Sequence, residues 1–525
     1  MFFDLVIENG KLVFGDMKKP EILNIGIKED RIVEISKLPL KGEKTINATG
    51  KIVSPGFIDP HTHSDLSAFF EKEMSSKVLQ GVTTEINGNC GIGIFPYLDG
   101  HKKEFIEFVN EHFFLPEENF SIENMKNMDC LRKEWEQEGF IVNQGYLLGT
   151  GCIRIAIVGF TNKKLTEEQT EDMLNLLEQE LKKGIYGVSF GLIYQPGNFM
   201  DRYEIAKILK LVAKYSKIAS FHMRNEGADI IESIKEVIWC AKQSKCRVNI
   251  SHLKIMDKGL WGKAKEILSL IADAKESGVD ISFDQYPYIA TSTNMMVLIP
   301  DKIFDGDIKK FIDRIPHLSD KEKNAILDIS NKRGGISNML ISSSFIANNK
   351  FSGKLISEIK EELGLNEVDT ILYLIKESEG KARVIYFSMS EEDMYTFMEN
   401  PLGVIGSDGN SFSSEDDTLG IPHPRNYGTF TRFIKINREK KMFSLEEMIN
   451  RITLKTAEIF NIKERGLLKE GYFADITIFD YDQISDGATF NNPFIKNNGI
   501  EYVIVNGKIA VCFENITDER AGKLI

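Results

Sequence analysis

Residues 218–252, "IASFHMRNEGADIIESIKEVIWCAKQSKCRVNISH", pass from a strand through a helix to a second strand. Two short apolar runs, 218–221 and 248–250, flank a segment in which Ile230, Ile231, Ile234, Val237, Ile238 and Ala241 recur at helical spacing. Each run ends in a histidine, His222 and His252. The interval between them, one strand-helix unit, is close to one-eighth of the roughly 250 residues of a (β/α)8 barrel. Both histidines are therefore expected at the same end of adjacent barrel strands.

The rhythm continues with a helix in "AKEILSLIADAKESG" (264–278) and a strand in "VDISFDQYPY" (279–288). It breaks from about Pro300 to Arg383, where charged helical stretches such as "SDKEKNAILDISNKR" read as an insertion over the barrel mouth. The two chain ends differ again. "LVIENGKLVF" and "ILNIGIKEDRIVEI" near the start, and "FADITIFD" and "IEYVIVNGKIAV" near the end, are β-rich runs. Asn9-Gly10, Glu29-Asp30 and Asn506-Gly507 read as hairpin turns within them. The fold expected is α/β: a TIM-like (β/α)8 barrel over 55–469 with an insertion at about 300–383, and a small β-sandwich domain from 1–54 and 470–525.

Composition narrows the class. A chain of 525 residues with 42% hydrophobic and 27% charged residues is that of a globular protein with a large core. Its 65 basic and 78 acidic residues leave a net charge of -13, which argues against nucleic acid or an anionic membrane as partner. No stretch approaches the ~18 apolar residues of a membrane span, and the start lacks a signal-peptide pattern. Six cysteines form no CxxC pair and no dense framework. A cytoplasmic protein with a small-molecule substrate is expected.

Chemistry concentrates at run ends. In "VSPGFIDPHTHSD", His61 and His63 stand two residues apart, so on a strand both imidazoles face one side and can converge on one ion. With His222 and His252, four of the eight histidines end strand-like runs, which favours a metal site over isolated core histidines. Asp408 in "GVIGSDGNS" follows another apolar run and is either a ligand or a proton carrier. Cys90 in "NGNCGIG" lies among small flexible residues, in a glycine-rich turn that does not suit a packed core thiol. Arg224 and Glu226 either brace His222 or form a salt bridge at the following helix start. His101, His112, His317 and His423 end no strand-like run and read as structural.

The ordered series "PGFIDPHTHSD", "GVTTEINGNCGIG", "GLIYQPG", "FHMRNEG", "ISHLK", "DQYPYIATST", "GSDG", "HPRNYGTF" and "ERGLLKEGYFADITIFD" resembles the N-acyl-D-amino-acid deacylase (D-aminoacylase) branch of the amidohydrolase superfamily. The likeness spans nearly the whole chain outside about 300–380. It implies zinc-dependent hydrolysis of N-acyl-D-amino acids to a carboxylate and a free D-amino acid. It further implies that Cys90, His222 and His252 hold a tightly bound Zn2+. His61, His63 and Asp408, with Cys90 as bridge, would form a second, weaker position. Asp408 would be the catalytic base and acid. Tyr194, Lys254, Tyr286, Ser292 and Arg425 would bind the substrate's α-carboxylate.

Two alternatives share the chemistry: a dipeptidase accepting a C-terminal D-residue, and a hydantoinase-like cyclic amidohydrolase. The latter needs a carboxylated lysine on the fourth strand, and the candidate strand "GVSFGLIY" ends without one. The chain departs from the family at Thr150 and Leu253, where relatives commonly carry histidine. Its loop from Asp408 to Arg425 is long and acidic, which would reshape the side-chain pocket.

Overall fold

In the computed structural model of the chain, eight parallel strands follow one another around a sheet: Phe57–Asp59, Val82–Asn87, Asn143–Gly149, Gly187–Gly191, Ile218–His222, Arg247–Ile250, Ile281–Gln285 and Gly403–Ile405. They are the first to eighth barrel strands below. The structure describes residues 1–66, 69, 75–113, 121–300, 302–304, 308–346, 349–413 and 420–525. The acidic run at 415–417 of the long loop lies outside them.

Alternation decides what each strand presents. In the fifth strand, Ala219 and Phe221 join the cluster that includes Ile234 and Val237 of the following helix, Ile230–Ser244. Phe221 stacks on Phe190, its register partner in the fourth strand, with ring centroids 4.5 Å apart. Ile218 packs instead with Ile58, Ile86 and Leu147 of the first three strands. Period two therefore turns Ile218, Ser220 and His222 toward the barrel axis. The helix buries the expected stripe, with Ile231 alone of the six residues only partly covered.

The first and eighth strands share no ladder among the described residues. They meet through one isolated bridge, Thr62 to Gly409. The Asp408 N–H donates to the His61 carbonyl at 2.8 Å, and the His63 N–H donates to the Gly409 carbonyl at 2.9 Å.

Strands from both chain ends join in one nine-stranded sheet, stitched where Ile52–Pro55 pairs antiparallel with Ile476–Phe479. Glu29-Asp30 and Asn506-Gly507 are two-residue hairpin turns, as Lys28↔Arg31 and Val505↔Lys508 pair across them. Asn9-Gly10 is different: Phe2–Leu12 is one continuous strand, and its register slips between Ile7 and Gly10. Asn9, at φ 57°, marks a bulge there and not a turn. A local Asn-Gly signal cannot distinguish the two, because both need a left-handed residue.

Between the seventh and eighth barrel strands, Thr291–Asn294, Arg383–Tyr386 and Met339–Ser343 form an antiparallel sheet, in that order. It has its own core, running from Met295 to Tyr386. Residues of this insertion, Met296 and Arg333 among them, line the mouth of the barrel.

Candidate metal centre

The barrel's C-terminal ends open into a cavity of about 950 Å³, whose wall includes His63, Cys90, His222, His252 and Asp408. Donor atoms of His61, Cys90, His252 and Asp408 all lie within 4.8 Å of one another, and so do those of His222, Glu226 and His252. The Cys90 sulfur is 3.3 Å from His61 Nε2 and 3.4 Å from His252 Nε2. His63 Nε2 is 3.1 Å from Asp408 Oδ1. Both ring nitrogens of His222 are buried without a hydrogen-bond partner. Buried polar atoms are nearly always satisfied, and a neutral imidazole keeps one nitrogen with a free lone pair, so an unpartnered His222 packed against His252 suits a metal ligand. Sulfur, imidazole and carboxylate donors at this spacing suit zinc.

Three of these residues hold a backbone that side chains rarely adopt: Cys90 at φ 55°, His252 at 36° and Asp408 at 51°. Left-handed non-glycine residues cost free energy and concentrate at functional sites. Cys90 reaches its place because the second-strand loop crosses the end of the fourth strand. A Cβ on Gly191 would stand 1.8 Å from the Cys90 carbonyl oxygen, and one on Gly91 2.3 Å from the Gly191 nitrogen. Gly91 also has φ 71°. Gly93 is not needed in this way, since a Cβ there meets nothing closer than 3.6 Å.

Electrostatics favours ionised donors. Burial pushes the Cys90 thiol up, yet the His61 and His252 imidazoles beside it outweigh burial and hold it well below the usual thiol range. Asp408 is likewise raised by burial but held well below the carboxylate range by Arg425 and His252. Arg425 Nη1 lies 2.6 Å from Asp408 Oδ2.

Buried partners fix the ligands. Asp284, in the seventh strand, lies 3.0 Å from His61 Nδ1, accepts the His252 N–H at 2.8 Å and accepts from Asn249 Nδ2 at 2.6 Å. Glu226 stands 3.0 Å from His252 Nδ1 and 3.6 Å from His222 Nε2. Arg224 turns away to Glu236 and to the Asn198 and Met200 carbonyls. Of the two residues read as braces, only Glu226 faces the histidines. Asp284 escaped the sequence reading although "VDISFD" ends in an acid just as "VNIS" ends before His252; the run-end rule, applied to the seventh strand, would have found it.

The residues expected at the substrate carboxylate divide. Tyr194, Ser292 and Arg425 line the cavity, whereas Lys254 and Tyr286 are almost wholly buried beside it. Lys254 Nζ donates to Glu226 at 2.6 Å and lies 2.8 Å from His252 Nδ1. Lys254 Nζ and the Arg425 guanidinium sit 6.0 and 5.0 Å from the Tyr286 ring centroid. His112 and His423, read as structural, also line the cavity. His423 Nδ1 accepts the Arg425 N–H at 3.0 Å, so its Nε2 donates to the Ala290 carbonyl at 3.0 Å.

A parallel barrel whose C-terminal mouth gathers histidines, a cysteine and an aspartate around one small space is the architecture of a metal-dependent amidohydrolase. The model of the amidohydrolase family matches residues 44–122 and 355–511. The chain is 30% identical to an N-acyl-D-aspartate deacylase of Alcaligenes xylosoxydans xylosoxydans over 99% of its own length and 95% of that protein. It is 29% identical to a D-aminoacylase of the same organism, covering 100% of this chain and 97% of the relative. The crystal structure of an N-acyl-D-glutamate deacylase from Bordetella bronchiseptica, complexed with zinc and a phosphonate mimic of the tetrahedral intermediate, superposes with a TM-score of 0.84. It shares 27% identity over 100% of this chain and 99% of that one. The chain belongs to the amidohydrolase family, in its D-aminoacylase branch.

Proposed function

We propose that the chain is a zinc-dependent hydrolase of N-acyl-D-amino acids, releasing a carboxylate and a free D-amino acid. The observation that carries this reading is the meeting of the Cys90 sulfur with His61 and His252 at the mouth of a barrel whose fourth strand, "GVSFG", carries no lysine. That arrangement also counts against a hydantoinase-like site, which needs the lysine. Relatives of D-aminoacylase and acidic D-deacylase activity along the whole chain support it.

Cys90, His222 and His252 would hold the tight ion, and His61, His63 and Asp408 the second position, with Cys90 between them. Bound zinc supplies a Lewis acid for the scissile carbonyl and brings the pKa of a water toward about 7. Asp408, kept ionised by Arg425, takes the proton of the attacking water as the C–O bond forms. It then passes that proton to the amide nitrogen, so the C–N bond breaks with a neutral amine leaving. His61 and His63 hold Asp408 between two imidazoles, 3.5 and 3.1 Å from its Oδ1.

Arg425 divides its guanidinium between Asp408 and the Ser292 carbonyl, the latter at 3.4 Å. The substrate's α-carboxylate would be received there, with Tyr194 and Ser292 on the same wall and Lys254 and Tyr286 behind it. Six free cysteines support a working place in the reducing cytoplasm.

The test is a zinc-reconstituted assay over N-acetyl-D-amino acids, their L-enantiomers and L-Xaa-D-Xaa dipeptides. Turnover confined to the N-acetyl-D series is expected. Turnover of dipeptides alone would make it a dipeptidase, and hydrolysis of L-substrates alone would overturn the assignment of chirality.

A further inference from the structure

Lys77 is buried to 1% exposure, outside the ligand set, and no step of the proposed reaction uses it. It precedes the short helix Val78–Gln80 that leads into the second strand. Its ammonium donates to Asp59 Oδ2 at 2.8 Å and to the Ser407 hydroxyl. Asp59, wholly buried, uses its other oxygen to accept the His61 N–H at 3.2 Å and the Ser407 N–H at 2.9 Å. The Ser407 hydroxyl in turn donates to the His61 carbonyl at 3.3 Å and accepts the Gly409 N–H at 3.1 Å.

Asp59 and Ser407 each bond the backbone at or beside His61 or Asp408 and Lys77 joins the two, across the first and eighth strands, which share no ladder among the described residues. Next to Lys77, Ser75 and Ser76 donate their N–H groups to the Phe412 carbonyl at 3.2 and 3.0 Å, and the Ser76 hydroxyl accepts the Phe412 N–H at 3.0 Å. The segment 75–77 thus clasps the loop that carries Asp408 at two points. A buried ammonium is costly unless paired, and replacing such a pair with apolar groups is often no loss to stability. What a satisfied polar network does confer is a single arrangement of the groups it joins.

We propose that Lys77, Asp59 and Ser407 are positioning residues that close the barrel seam and set His61, His63 and Asp408 against Cys90. The proposal rests on the reading of the site given above. None of the hydrogen bonds of this network reaches His222 or His252; Asp284 and the Cys90 sulfur join His252 to His61, so the seam acts first on His61, His63 and Asp408. The chemistry it serves is the second cation position and the proton transfer by Asp408.

The test compares Lys77→Met, Lys77→Arg, Ser407→Ala and the double variant Lys77→Met/Asp59→Asn with the parent chain. Apoprotein is titrated with zinc by calorimetry, and kcat, KM and Tm are measured. The seam-side binding event is defined as the one that His63→Ala removes from the parent. In Lys77→Met that event is expected to weaken by about 10–100-fold, and kcat to fall by a similar factor, as for other groups that orient metal ligands. The tight event should change less than the seam-side event, and KM less than kcat. Lys77→Arg should recover part of the loss, and the double variant should recover Tm without recovering kcat.

Ser407→Ala, which removes no charge, tests the same point should Lys77→Met not fold, with the same direction and a smaller loss. Unchanged seam-side binding and kcat in either folded variant would overturn the proposal. So would recovery of both in the double variant, which would reduce the pair to charge compensation, and so would a parent titration with no event sensitive to His63→Ala. Failure of the underlying site is separately visible: Asp408→Asn would then retain full activity in an otherwise unaltered chain.

Discussion

The two sides of the centre are built by different means. His222 and His252 hang from the fifth and sixth strands, which pair in register at four positions from Ile218↔Arg247 to Phe221↔Ile250, and their rings pack 4.4 Å apart. His61, His63 and Asp408 hang from the first and eighth strands, held by a single bridge and by side chains that reach across. A ladder repeats its constraint at every residue, so no one side chain carries it. A seam concentrates the constraint in a few buried groups, where one substitution acts on several ligands at once. Cys90 stands between the two, on a loop whose Gly88 and Gly91 are tied to the Ser189 hydroxyl of the fourth strand.

The largest effect is therefore expected at Cys90. Cys90→Ala should remove the tight ion, seen as zinc lost on dialysis and measured by atomic absorption, and take activity to background. Retention of stoichiometric zinc would show that the ladder side binds without it. Asp408→Asn separates chemistry from tight binding. It should lower kcat by about 10²–10⁴-fold, the range for loss of a general acid-base group, while zinc on the Cys90 side is retained.

Asp284→Asn asks whether the two sides share a brace. Asp284 contacts both His61 and the His252 backbone, so its loss should weaken zinc at both positions. About 10–100-fold in affinity or activity is expected, read by competition with a chromogenic chelator. A loss confined to one position would sharpen the division between ladder and seam.

What the sequence made legible follows the same division. Run ends at unit spacing pointed to His222, His252, His61 and Asp408, because a barrel puts all its strand ends on one rim. Cys90 was legible through its glycines and through resemblance. The partners were not. Nothing local in "SSKVLQ" tells that Lys77 will cross to Asp59 and Ser407, nor anything in "SHLK" that Lys254 will pair with Glu226. Such choices depend on which distant carboxylate the fold delivers. The bulge at Asn9-Gly10 was missed for a related reason: the left-handed residue was recognised, but whether the chain reverses there is decided by the neighbouring strands.

The glycines around Cys90 give the smallest and most local contrast. Gly91 has φ 71° and meets the fourth-strand backbone, so Gly91→Ala carries the left-handed penalty of about 1–2 kcal/mol and an overlap that only a moved loop relieves. Gly93 differs on both counts. Its φ lies outside the left-handed region, and an added methyl would rest 3.6 Å from the Gly149 nitrogen and 3.7 Å from the Cys152 sulfur, ordinary contact distances. The Cys152 thiol already leans on the Gly93 carbonyl at 3.2 Å, an interaction that the methyl leaves in place. Gly93→Ala should therefore cost far less than Gly91→Ala, with Tm and zinc content close to parent values. A clear drop in zinc content with Tm unchanged would show that the loop must flex at Gly93 to seat the ion, and would place the freedom of this turn one residue pair beyond Gly91.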